Sequence, residues 1–104
     1  MVIVMDEDNR KEITYDELEQ VLLNYDMKGA IVIDKYEDAV VGITTDNVVV
    51  YDYWKMIDIL CRNDGMTVYD AMDWIDYNII RSMDFFDKDK KPVILINLRE
   101  TGEL

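Results

Sequence analysis

Asp70, Asp73 and Asp76 stand three residues apart, with apolar residues at the complementary positions, so on a helix the three carboxylates share one face. Neighbours at that spacing have Cβ atoms about 5–6 Å apart. A row of short, negatively charged side chains at that interval can imitate the spaced anions of a nucleic-acid backbone. It would then occupy the Lys/Arg channel of a nucleic-acid-binding protein. Asp58 and Asp64 lie just upstream, and from Asp64 to Asp87 there are six acids and one base, Arg81. Helix propensity does not account for this, because Asp is a poorer interior helix former than Glu and like charges at this spacing repel. Tyrosines adjoin the acids at Tyr51-Asp52-Tyr53, Tyr69-Asp70 and Asp76-Tyr77. Tyr favours interfaces, which makes Tyr69 and Tyr77 candidate anchors. The competing reading is a solvated face whose rings form the edge of the core with their hydroxyls wet. Arg81 follows the row near the helix end, where it favours the helix dipole and pairs with Asp84 or Asp76.

Other chemistries have little to stand on. The chain contains no histidine, so the commonest general base and metal ligand is missing, and neither a Ser/His nor a Cys/His pair can be built. Its single cysteine, Cys61, excludes an internal disulfide and cysteine-rich zinc sites, points to a reducing compartment, and lies in an apolar run that reads as buried helix. The glycines at 29, 42, 65 and 102 are scattered and form no phosphate loop. Any chain with 23 acids offers carboxylate pairs by chance, so the expectation is no enzyme and no cofactor. Asp6 to Glu17 partly follows a calcium loop, but Arg10 takes a ligand position and Lys11 replaces the turn glycine. Weak calcium binding there is a minor alternative, and Asp84, Asp87 and Asp89 make a poorer loop still. No metal site is expected.

The elements that must position these residues are legible from caps and periodicity. With 104 residues, half of them hydrophobic, the chain can bury the core of one acidic domain despite a net charge of −12. Thr14 with Glu17 forms a capping box opening a helix that carries Leu18, Val21, Leu22 and Tyr25 and stops at Gly29. Ala30 to Ile33 is either a short strand or an extended connector. Asp38 to Ile43 and Val48 to Tyr51, joined by Thr44-Thr45-Asp46-Asn47, predict a β-hairpin. Asp52 caps a second helix with the stripe Tyr53, Met56, Ile57 and Leu60, ended by Asp64-Gly65. Thr67 and Asp70 open a third, burying Val68, Ala71, Met72, Ile75, Ile79 and Met83. After a charged loop, Pro92 precedes a last strand, Val93 to Leu98. The expected fold is α+β, a small antiparallel sheet of hairpin plus C-terminal strand with about three helices packed on it. No apolar run reaches the length of a membrane span, so a soluble, cytoplasmic protein is expected.

Ala39 to Thr44, Val50-Tyr-Asp-Tyr-Trp-Lys-Met-Ile57, Asp64-Gly-Met-Thr67 and Ala71-Met-Asp-Trp-Ile-Asp-Tyr-Asn-Ile-Ile-Arg81 carry a resemblance. Over about residues 38–98 the chain resembles small acidic accessory proteins encoded by bacterial and archaeal viruses, prophages and mobile elements. The resemblance implies a viral accessory protein, for which inhibition of a host defence nuclease is a natural role, and it brings no catalytic residues. The functional expectation is therefore a non-catalytic, nucleic-acid-mimicking inhibitor of the anti-CRISPR kind. Its partner would be a protein with a basic nucleic-acid-binding groove, contacted by Asp58, Asp64, Asp70, Asp73, Asp76, Tyr69 and Tyr77. Direct nucleic-acid or membrane binding is not expected of so acidic a surface. The alternative is an interaction or self-assembly module, a homodimer among its forms, whose acidity serves solubility.

Overall fold

The computed structural model describes residues 14–27, 30–87, 90–99 and 102–103. Helix α1 spans Tyr15–Asn24, strands β1 and β2 span Val40–Ile43 and Val49–Asp52, and helix α2 spans Tyr53–Asp64. Helix α3 spans Val68–Ile75 and runs on as a π turn over Asp76–Ile80 and a 3₁₀ turn over Arg81–Phe85, before strand β3, Val93–Leu95. Among the described residues, three helices beside a small sheet make this an α+β fold.

Each helix starts where a side-chain oxygen takes an orphan amide. Thr14, Asp52 and Thr67 accept from the backbone N–H of Glu17, Lys55 and Asp70 at 3.2, 3.1 and 3.2 Å. At the other end of α1, Asp26 adopts φ 59°, and the N–H groups of Asp26 and Met27 close onto the carbonyls of Leu23 and Leu22. This is a Schellman closure with aspartate in the left-handed position usually held by glycine. The helix thus ends before Gly29, which lies outside the described residues. Val21 and Tyr25, expected on the buried stripe, are exposed. Gly65, at φ 67°, ends α2 in the same left-handed region.

The hairpin forms as its turn chemistry dictates. Thr44 Oγ1 accepts from the N–H groups of Asp46 and Val48, and Asn47 takes φ 64°. β1 pairs antiparallel with β2, with a bulge between Val40 and Gly42. Residues Glu37–Ala39 form a 3₁₀ turn rather than the start of β1, and 30–33 is a connector, not a strand. The order is β1-β2-β3, and β3 lies parallel to β2, with Val93 beside Val50 and Leu95 beside Asp52. The sheet is therefore mixed rather than wholly antiparallel. The crossover through α2 and α3 returns the chain to the end where β2 begins, and that fixes the direction of β3. The last strand is also shorter than Val93 to Leu98.

The core gathers Leu18 and Leu22 of α1, Val49 and Tyr51 of β2, and Met56, Ile57, Ile59 and Leu60 of α2. From α3 and its continuation come Ala71, Ile75, Ile79 and Met83. Cys61 packs half-buried against this cluster, as does Met72, whereas Val68 is exposed.

The buried residues of the third helix recur every fourth position, 71, 75, 79 and 83. In a regular α-helix a four-residue step overshoots a full turn by about 40°, so three such steps would carry Met83 about 120° off the core. The wider π turn, in which the Arg81 N–H reaches the Asp76 carbonyl, takes up that drift as far as Ile79, and Met83 lies in the 3₁₀ turn that follows. Deleting Asn78 converts the buried spacing to i, i+4, i+7, i+11, the stripe of an ordinary amphipathic helix. The deletion variant is expected to fold with a melting temperature close to that of the parent. Deleting Asp58, which would turn Ile59 to the exposed position 58 and bring Cys61 and Arg62 into the core-facing positions of Leu60 and Cys61, is expected to abolish cooperative melting. Equal damage from both would show that the π turn does not compensate the spacing.

Candidate binding surface on the third helix

One side of α3 carries the core residues, and the other is open. Tyr69 is 80% exposed and Tyr77 67%, and Asp70, Asp73 and Asp76 are all exposed. Tyr69, Asp73, Tyr77 and Arg81 repeat every fourth residue, in step with the buried set, so the π turn that aligns the core also aligns this outer column. The three aspartates repeat every third residue instead. Each such step falls about 60° short of a turn, so they cross the face obliquely and meet the column at Asp73 rather than forming a straight row.

Local structure explains part of the acidity. Asp70 occupies the first turn of α3, where a negative charge meets the positive end of the helix dipole. Asp73 and Asp76 have no such reason to be there. Their field is felt inside the protein: burial pushes the Tyr53 hydroxyl pKa up, and the charges of Asp76 and Asp73 push it the same way. Asp64, the last residue of α2, acts on Tyr36. Burial raises that hydroxyl's pKa, the Trp74 side chain opposes the rise, and Asp64 adds to it.

The other predicted site residues divide. Asp58 lies on α2 in an exposed ion pair with Arg62 at 2.7 Å, which makes it half of a neutral pair. Asp70 and Asp73 have no such partner among the described residues. Arg81 sits at the far end of the column with its guanidinium carbon 4.7 Å from the centre of the Tyr77 ring and its Nε 4.0 Å from Asp76 Oδ2. Of the two partners expected for Arg81 the structure selects Asp76, while Asp84 pairs with Lys91 at 3.6 Å. The stacking on Tyr77 and the exposure of Trp74 and Phe85 (45% and 90%) add to the surface. The signal for the stack was the four-residue interval between Tyr77 and Arg81.

Among the described residues no group of three or more acids or cysteines is placed to hold a metal ion. Residues 6–13 of the calcium-like loop, and Asp89, lie outside them. Within the described part of that loop, the Thr14 hydroxyl donates to Glu17 Oε1 at 3.2 Å. A groove of about 210 Å³ lies along α1, lined by Leu18, Leu22, Leu23, Met27 and Val32 together with Tyr15 and Glu19. No described helix is long and apolar enough to cross a membrane. No protein-family model matches the chain, and neither a curated protein nor a solved structure matches it.

Proposed function

We propose that this protein is a non-catalytic binding protein that presents the open face of α3 to a basic groove of the kind that holds nucleic acid. The observation that carries the reading is the exposed column of Tyr69, Asp73 and Tyr77 crossed by Asp70 and Asp76, on a helix whose opposite side is fully engaged by the core. The carboxylates stand in for phosphates, and the rings supply contact area. Asp58, neutralised by Arg62, belongs to the periphery of such an interface. The likeness to virus-encoded accessory proteins favours one setting, inhibition of a host defence nuclease in the host cytoplasm.

The test is capture of partners from host lysate by the wild-type protein and by a variant carrying Asp70→Asn, Asp73→Asn and Asp76→Asn, followed by competition with DNA. The partner should bind this protein or DNA but not both, and its affinity should fall steeply with rising salt. Removing one carboxylate charge from a close pair with a partner cation should cost on the order of 1–3 kcal/mol, non-additively. A captured partner indifferent both to DNA and to the three substitutions would mean that the acidity only solvates the fold.

A further inference from the structure

We infer that the column on α3 takes arginine side chains of its partner in preference to lysine, and that Arg81 is a built-in placeholder at one end of it. The inference rests on the proposed function and names the chemistry of the partner at that site.

The starting point is what the chain does with its own cation. Arg81 lays its guanidinium 4.7 Å from the centre of the Tyr77 ring, with Nε 4.0 Å from Asp76. All three residues are exposed, so no crowding forces this arrangement. A planar, weakly hydrated guanidinium stacks on an aromatic face while its N–H edge meets a carboxylate. A lysine ammonium is a compact, strongly hydrated point charge and does not combine the two contacts in the same way.

The elements of that arrangement recur towards the N-terminal end. Tyr69 is the most exposed tyrosine, 80% open, and Asp73 stands four residues from it and four residues from Tyr77. Residues at that interval are neighbours on a helix surface. From Asp64 to Asp87 the sequence supplies no base other than Arg81, so nothing on α3 can occupy the Tyr69–Asp73 pair as Arg81 occupies Tyr77. A molecule of net charge −12 draws basic surfaces towards it, and a ring beside a carboxylate, with no cation over it among the described residues, selects among the cations that arrive. A partner arginine first fills Tyr69–Asp73. A second displaces Arg81 from Tyr77.

The experiment titrates the full chain with oligo-arginine and oligo-lysine peptides of equal length, by fluorescence anisotropy at matched salt. The arginine peptide should bind roughly tenfold more tightly than the lysine peptide, and Tyr69→Ala should remove most of that ratio while leaving lysine binding nearly unchanged. Arg81→Lys is the decisive variant, because it keeps the charge and withdraws the guanidinium from the Tyr77 ring. It should tighten arginine-peptide binding severalfold, on the order of two- to fivefold, by freeing the Tyr77 face. Equal affinity for the two peptides, or an Arg81→Lys variant that binds as wild type does, would overturn the inference. Exclusion of DNA from a basic partner would then still stand as support for the proposed function. Conversely, a clear arginine preference without DNA exclusion would keep the arginine site and reject nucleic-acid mimicry.

Discussion

Replacing Tyr51 by Phe is expected to lower the stability of the fold by about 1–3 kcal/mol, the penalty for leaving the part-buried Ile33 N–H without its acceptor. Tyr51 occupies the central strand, between Val40 on β1 and Ile94 on β3, and its side chain is fully buried. Its hydroxyl accepts the backbone N–H of Ile33 at 2.7 Å, eighteen residues earlier in the chain. One phenol thereby holds the 30–36 connector against the sheet, and no strand pairing does that work. For a chain of this length the loss corresponds to a melting temperature lower by about 5–15 °C. The ring itself stays, so the core remains filled and a smaller loss would mean that the connector is held by packing alone.

The same residue sets an alkaline limit. Burial raises the Tyr51 pKa from its ordinary 10.0 to about 12; the Ile33 N–H opposes the rise and the charge of Glu37 adds to it. A raised pKa means the folded state keeps a proton that the unfolded chain gives up. The stabilisation is complete below pH 10 and is lost as pH climbs towards 12. A shift of that size amounts to roughly 2–3 kcal/mol. Urea titrations across this interval should show stability falling with pH in the wild type. In Tyr51→Phe the slope should be shallower but not absent, because Tyr36 and Tyr53 are also raised.

What the sequence disclosed of this fold follows from the range over which each interaction acts. Caps are local, and Thr14, Asp52 and Thr67 all engage the amide three residues on, as their spacing predicts. The Thr44–Asn47 turn is equally local. The direction of β3 is not, because it depends on where two helices return the chain, and nothing in Val93 to Leu95 records it. Val68 satisfies helical periodicity yet faces solvent, at the first position of α3, ahead of the helix's first buried residue, Ala71. Asp26 takes the place expected for a glycine because aspartate tolerates the left-handed region at modest cost. The π turn is written in the four-residue recurrence of Ala71, Ile75, Ile79 and Met83, a period that neither a regular helix nor a strand fits. On the candidate surface, exposure of Tyr69 and Tyr77 could be read from the same periodicity. The neutralisation of Asp58 could also have been read, since Arg62 stands four residues from it. The contact of Arg81 with Tyr77 was open to the same reading, since the two also stand four residues apart.

Asp52, the immediate neighbour of Tyr51, should respond with the opposite sign. It is the last residue of β2 and the cap of α2, and it too is fully buried. One carboxyl oxygen accepts the Lys55 N–H at 3.1 Å, while the other, Oδ2, has no hydrogen-bond partner among the described residues. The cap contributes about 0.5–2 kcal/mol. A buried polar atom without a partner costs about 1–3 kcal/mol. Serine caps a helix as well as aspartate does and brings no second oxygen. Asp52→Ser is therefore expected to raise the stability by about 1 kcal/mol or more, whereas in Asp52→Ala the missing cap offsets the relief and the net change stays near zero. Thermal melts of the two variants beside wild type separate the contributions, because both remove Oδ2 and only one keeps the cap. Destabilisation in both would show that Oδ2 is satisfied in solution. The strand then passes into its helix through an intact polar contact, and the orphan oxygen is no source of strain at the junction.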